Sequence, residues 1–340
     1  MANPSTHSPA KPSKLIGPGL VLLFCISQAF RDVYFGHAFQ GVDFFAVILL
    51  AFVSSTVIFT AIPLLRRPAA YAKLRGQFGS VIAANITTAL AWSCYFFALS
   101  RLEPSIVNTI HSGMAPLTVV ALAAFGARIA KPEPIGFGEY AGYAGIAVSL
   151  MALAWVVLSG HSGMAASSVP GALLGLGALL VSGASITTSL LYCKRLQDRG
   201  VSAEVVTSVR YMLLILVATG VVWHKGGLIG IGSLGDGAML TLLATVLIVL
   251  PLFAFQVGIG LTAPLTANVL RALGPVFVFA LQPFDGRLST SAATLLCILA
   301  YSVAAIASNV AHARAKIVEG RSENAVSGGR LRAVRLALRR

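Results

Sequence analysis

The sequence predicts an all-α integral membrane protein, with ten transmembrane helices arranged as two inverted five-helix repeats. Three observations carry that prediction. The mean hydropathy is +0.85, with 57% apolar and only 11% charged residues, against roughly 25% charged in an ordinary soluble domain. The apolar residues come in runs of spanning length, and the basic residues sit in short clusters between those runs. A soluble chain of 340 residues could not bury this much apolar surface without exposing large patches, whereas a bilayer solvates the outer face. The runs do not alternate apolar with polar residues, as barrel strands would, so helices are the expected spanning element.

A helix needs about 20 apolar residues to cross a hydrocarbon core of roughly 30 Å. The first such run, Leu15–Phe35, follows a polar start with Lys11 and Lys14 and reads as a retained span rather than a cleaved signal. Phe44–Leu65 follows, and a loop with Arg66, Arg67, Lys73 and Arg75 leads to Phe78–Ser100. Pro104–Gly126 comes next, then Arg128 and Lys131, then Gly136–Leu158. No charged residue lies between Tyr140 and Cys193, which is room for two spans, and the second is Gly171–Leu191. Lys194, Arg195 and Arg199 precede Glu204–Trp223, and Met239–Gly260, Pro264–Pro283 and Ser289–Ala311 complete the set. With the N-terminus inside, 19 of the 25 Lys and Arg residues fall on the cytoplasmic side and three (Arg101, Lys225, Arg287) outside. Both termini are therefore expected in the cytoplasm, and the membrane is expected to be a bacterial inner membrane. The basic tail, 313–340, is expected to be mostly irregular and drawn to anionic lipid.

The net charge of +14 is read as this topology signal, not as a nucleic-acid footprint. Cys25, Cys94, Cys193 and Cys297 lack metal-ligand spacing and read as packing residues. No phosphate loop, zinc spacing or nucleophile elbow is present, so neither an enzyme nor a cofactor is expected. Gly138/Gly142 and Gly171/Gly175 each form a close-approach face, for a neighbouring helix or for a homodimer.

The two halves resemble each other. Phe96–Gly126 reads FFALSRLEPSIVNTIHSGMAPLTVVALAAFG, and Phe255–Gly286 reads FQVGIGLTAPLTANVLRALGPVFVFALQPFDG. Each ends one helix, turns at a proline (Pro104, Pro264) and enters a helix holding Ala115-Pro116 or Gly274-Pro275. Five spans per half force the copies, 15–160 and 161–312, into opposite orientations, as in many alternating-access carriers. These segments, with Arg210-Tyr211 in SVRYMLLILVATG, make the chain similar to the EamA-type branch of the drug/metabolite transporter superfamily. The first unit departs from that pattern, with no arginine in LAFVSSTV (50–57) and no Trp-Gly start before SQAFRDVYF. The resemblance implies a central cavity lined by the first, third, fourth, sixth, eighth and ninth helices. It also implies a secondary transporter or facilitator, an exporter of a small metabolite or drug. A lipid-acting membrane enzyme or a scaffold is the alternative.

Charges inside spans cost at least about 2.5–3.5 kcal/mol each on insertion scales, so they mark candidate function. Arg271, just before Gly274-Pro275, offers a guanidinium to an acidic substrate or caps carbonyls freed by the proline. Arg31 either snorkels to the headgroups from near the outer end or meets substrate in a vestibule there, and its neighbour Asp32 projects about 100° away on a helix, poorly placed to pair. Arg210, in the cytoplasmic third of its helix, is within snorkelling reach, and a structural or topogenic role is expected for it. His111 could titrate or be a neutral partner to another helix. Asn85, Asn108, Asn268 and Gln256 either contact substrate or join helices. Trp92 and Tyr95 are candidates for an apolar cavity wall. Asp32 and His111 are the two groups placed to carry a transported proton, and obligatory proton coupling is expected to be weak or absent.

Overall fold

The computed structural model describes residues 15–127, 129, 136–164 and 168–337, with side chains given for these except 256, 260, 264 and 317–337. Lys11, Lys14, Arg128 and Lys131 lie outside the described residues. Among the described residues, ten helices are long and apolar enough to cross a membrane: α1 (Ile16–Ala38), α2 (Phe44–Arg66), α3 (Phe78–Leu99), α4 (Pro104–Ala124), α5 (Phe137–Leu158), α6 (Val169–Asp198), α7 (Ala203–His224), α8 (Leu234–Ile259), α9 (Leu265–Phe284) and α10 (Ala292–Lys316). The chain is thus built as an integral multi-pass membrane protein. The sequence-derived spans coincide with these helices, and α6 exceeds its predicted length at the polar end. The last helix also continues to Ala337, where irregular chain was expected.

Local chemistry sets the boundaries. The Asp43 carboxylate accepts from Phe45 N at 2.8 Å, Ser168 Oγ from Gly171 N at 3.1 Å, and Ser233 Oγ from Asp236 N at 3.1 Å. Each satisfies an orphan donor at a helix N-terminus. Gly160 (φ 73°) and Gly200 (φ 85°) end α5 and α6 in the left-handed region. There His161 N reaches back to Val156 O, and Val201 N to Leu196 O.

The helices of the first half run unbroken, even through Pro63 and Pro116. Three consecutive helices of the second half do not. α7 loses its α-helical form between Val209 and Met212. α8 passes through a π-helical turn at Thr245–Val249 just before Pro251, where proline removes a ladder bond. α9 breaks at Leu273, before Gly274-Pro275.

In the packing, α3 lies on α6, α5 on α10, α1 on α8 and α9, α2 on α7, and α4 on α6 and α9. Gly138 and Gly142 meet Ala311 and Ser308 of α10, with no room for a Cβ at Gly142. Gly175 packs on Leu102. Both small-residue faces therefore serve contacts within the chain. The outer surface is apolar, and its exposed aromatics Phe125, Phe137, Trp223 and Phe284 lie at helix ends, as in an interfacial belt.

Candidate functional site

A cavity of about 600 Å³ occupies the middle of the bundle, lined from α1, α2, α3, α4, α6, α7, α8 and α9. All six helices implied by the sequence resemblance contribute, and α2 and α7 join them. The lining reaches Gln197 and Ala203, so the cavity runs to the end of the bundle where α6 stops and α7 starts. In the other direction it stops at Arg31, Tyr95 and Asn108, all buried. Arg31, Arg210, Arg271 and Lys194 line it, and no carboxylate does among the described residues.

The floor is a four-residue polar cluster. Arg31 and Asp32 pair directly, with Arg31 Nε and Nη2 on Asp32 Oδ1 at 2.8 and 2.6 Å. Asn108 Nδ2 donates to the other oxygen, Oδ2, at 2.8 Å. Arg31 Nη2 also donates to the Tyr95 hydroxyl at 3.1 Å. This corrects two expectations. Arg31 does not snorkel, being 4% exposed, and adjacent positions on the helix do pair. The arginine stem is long enough to fold its head across the 100° between neighbours, onto the short carboxylate beside it. The guanidinium lies against two neighbouring aromatic rings, 5.5 Å from the Trp92 centroid and 5.2 Å from Tyr95, each contact contributing about 0.5–2 kcal/mol. Trp92 and Tyr95 thus line the cavity as expected, but as a cradle for a cation.

His111 lies beside this floor, its ring centroid 4.6 Å from that of Tyr95. Its Nδ1 is 3.0 Å from Ser182 Oγ, and that hydroxyl donates to Ala91 O at 2.7 Å. Because the serine proton is committed, His111 Nδ1 must be the donor, which leaves Nε2 as the acceptor of the neutral ring. His111 accordingly joins α4 to α6 and also presents an edge to the cavity.

Arg271 is exposed within the cavity lining and stacks over Phe255 at 5.2 Å. It does not cap the carbonyls of the α9 break: the Ala272 carbonyl is taken by Ser302 Oγ at 3.0 Å. Asn268, one turn earlier on α9, lines the cavity and donates to Asn309 Oδ1 of α10 at 3.0 Å. The Gln256 side chain lies outside the described residues.

Arg210 is the largest correction. It is 6% exposed rather than snorkelling, and it lines the cavity. Its placement follows from the α7 break, which Asn85 of α3 holds open. Asn85 Nδ2 donates to Val209 O at 2.8 Å, and its Oδ1 accepts from Leu213 N at 3.0 Å. Asn85 is thereby a helix-joining residue. It satisfies backbone groups that the broken turn would leave orphaned at about 1–3 kcal/mol each.

Beyond the floor, the far end of the bundle is closed by polar clusters built around Glu103, Asp285 and Asp43. Glu103, 1% exposed, accepts from Ser105 Oγ (2.8 Å), Gly163 N (2.7 Å), Gln282 Nε2 (2.9 Å) and Thr294 Oγ1 (3.3 Å). These groups draw together the α3–α4, α5–α6 and α9–α10 connections. Burial pushes the Glu103 carboxyl above its ordinary value, against the hydrogen bonds from Ser105, Gly163 and Thr294. Asp285 accepts from Arg287 Nη2 at 2.5 Å and meets His37 Nδ1 at 3.0 Å. Desolvation opposes its charge, but the Arg287 and His37 bonds hold it below the usual carboxylate range. Asp43 pairs with Lys225, tying the α1–α2 and α7–α8 connections.

No family model matches the chain, and no curated protein matches it. One solved crystal structure of another protein aligns with it at a TM-score of 0.56 and 18% sequence identity, over 88% of this chain and 98% of that one. At that identity the likeness establishes a shared fold. Activity has to be argued from the cavity itself.

Proposed function

We propose that this chain is a secondary transporter or facilitator that moves a small acidic molecule across the membrane by alternating access. The observation that carries the reading is a central cavity open toward one end of a ten-helix bundle and sealed at the other by buried polar clusters. A substrate could enter from one side and meet a closed barrier on the other, which is half of an alternating-access cycle.

Packing supports the inverted-repeat arrangement behind this reading. Exchanging each helix with the one five positions later turns the α1–α8 pair into α6–α3, and α1–α9 into α6–α4, both of which are packed. The α2–α7, α4–α9 and α5–α10 pairs map onto themselves, and they are packed too. The similarity of the sequence to EamA-type drug/metabolite transporters points the same way, to export of a small metabolite or drug. With both termini cytoplasmic, the open end faces the cytoplasm, where an exporter loads. Cysteine labels after Asp236 should therefore react from outside, and labels after Arg321 only after permeabilisation. Labelling of the tail from outside would overturn the orientation.

Arg271 is the cavity cation with no hydrogen-bonded or ionic partner among the described residues, so the substrate's acidic group belongs there. Flux of a panel of radiolabelled organic acids into proteoliposomes tests both claims, because a carrier relocates a compound and an enzyme alters it. Arg271→Gln should lower the rate for the best acid at least about tenfold, equivalent to roughly 1.4 kcal/mol, with unchanged membrane insertion. Wild-type flux in that variant would make Arg271 a packing residue.

A further inference from the structure

We infer that Arg210 is a second anion-binding group of the cavity, so that the molecule held there carries two separated negative charges, one for Arg271 and one for Arg210. The inference deepens the transport reading, on which it rests for the meaning of binding but not for binding itself.

A guanidinium is charged at every physiological pH and offers five N–H donors. In Arg210 these donors are almost idle. Its Nε is buried with no hydrogen-bond partner among the described residues. Its Nη1 has only the Cys193 thiol, at 3.9 Å, and the head lies over the Tyr211 ring at 4.8 Å. A neutral thiol and a ring face do not balance a buried cation. Nor can Asp32 supply the balance, since one of its oxygens serves Arg31 and the other Asn108.

A second observation points to the same ligand. Trp92 Nε1 is likewise buried without a partner among the described residues. Trp92 packs on Phe52 at 4.9 Å and Phe52 on Tyr211 at 4.7 Å, so the two orphans flank a single aromatic cluster. Both are donors, and both residues line the cavity. Buried donors left unsatisfied in a cavity wall complement an anion.

Depth separates this group from Arg271 across the cavity, not along it. Arg210 follows the start of α7 by seven residues, and Arg271 the start of α9 by six. At 1.5 Å per residue both lie about 9–10 Å in from the same end. α7 packs on α2 and α3, and α9 on α1, α4 and α10. The two guanidiniums therefore come from different walls at one level, as two ends of a short dianion require.

The test is equilibrium binding to the full-length chain in detergent, read by thermal unfolding, since a ligand of the folded state raises its stability. The probes are the straight dicarboxylates from malonate to adipate, each against the monocarboxylate of equal length. At least one dicarboxylate should reach half-effect at a concentration tenfold or more below its monocarboxylate. Arg210→Gln and Arg271→Gln should each erase that preference, and Arg210→Lys should keep part of it. A second readout leaves Arg210 intact. Trp155→Phe with Trp223→Phe removes two exposed tryptophans (72% and 85%) and leaves Trp92 as the sole emitter. The preferred dicarboxylate should shift its emission with the same midpoint. No dicarboxylate preference in the wild type, an undiminished preference in Arg210→Gln, or silent Trp92 emission would each overturn the inference. A protein that binds dicarboxylates without moving them in vesicles would refute only the transport reading.

Discussion

Asp32→Asn should cost the protein about 3–5 kcal/mol of stability, the usual penalty for removing one partner of a buried ion pair. The carboxylate is fully buried, and its two oxygens hold Arg31 and Asn108. An asparagine of the same shape keeps the volume and one acceptor but leaves the Arg31 guanidinium without a counter-charge, against Trp92 and Tyr95. The double variant Arg31→Gln, Asp32→Asn removes both charges and should recover most of the loss, because the penalty belongs to the orphaned charge. Denaturant unfolding in mild detergent would measure this. On the proposed transport reading, the cycle also decides what Asp32 does. If it holds the cavity floor, flux per folded molecule recovers with stability in the double variant. If it carries a transported proton, Asp32→Asn leaves stability near wild type and abolishes any response to a pH gradient, and Arg31→Gln restores nothing. That second pattern would overturn the structural role assigned here.

Legibility in the sequence divides along contact distance. The spans follow from run length and loop charge alone, so their existence and order need no tertiary information. The lining residues Arg31, Asn108, His111, Trp92 and Tyr95 were recoverable as candidates because polar and aromatic groups inside a span are few and each demands an explanation. What those groups touch was not recoverable. The Arg31–Asp32 bond defeats a rule about side-chain direction, because that rule ignores the reach of a long stem. The α7 break contains neither glycine nor proline. It is stabilised by Asn85, more than a hundred residues earlier, so nothing near Arg210 in sequence announces that it turns inward. Glu103 stands before a proline at a helix start, where an exposed acid is ordinary. Its burial depends on Gln282 and Thr294 from the other half of the chain. The one local hint was the scarcity of acids: among 11 in the chain, each beside an apolar run had some claim to a partner.

Glu103→Ala should open the far end of the bundle. Four donors converge on that carboxylate from three connections, and each donor left unpaired costs about 1–3 kcal/mol. The closed arrangement should lose its advantage over one in which these groups meet water. Ile106, fully buried one turn into α4, is a suitable reporter when changed to cysteine in a chain with its four native cysteines replaced. A membrane-impermeant maleimide added outside should label it slowly in the parent and at least about tenfold faster with Glu103→Ala, a shift of roughly 1.4 kcal/mol. The same latch should respond to pH. Burial raises the Glu103 carboxyl above its ordinary 4.5 when the end is closed, whereas in water it would return toward that value. Between the two values the closed state binds more proton, so its stability is fully present below the ordinary value and falls as pH rises through the raised one. Acidification should therefore slow labelling at Ile106→Cys, once corrected for thiol reactivity with a cysteine at exposed Gly232. Glu103→Gln should remove that dependence. Because Glu103 lies outside the cavity, this makes protons a modulator of the closed state rather than an obligatory co-substrate, and flux should persist without a pH gradient. Equal labelling in the parent and Glu103→Ala would place the barrier elsewhere, at the Asp285 or Asp43 cluster.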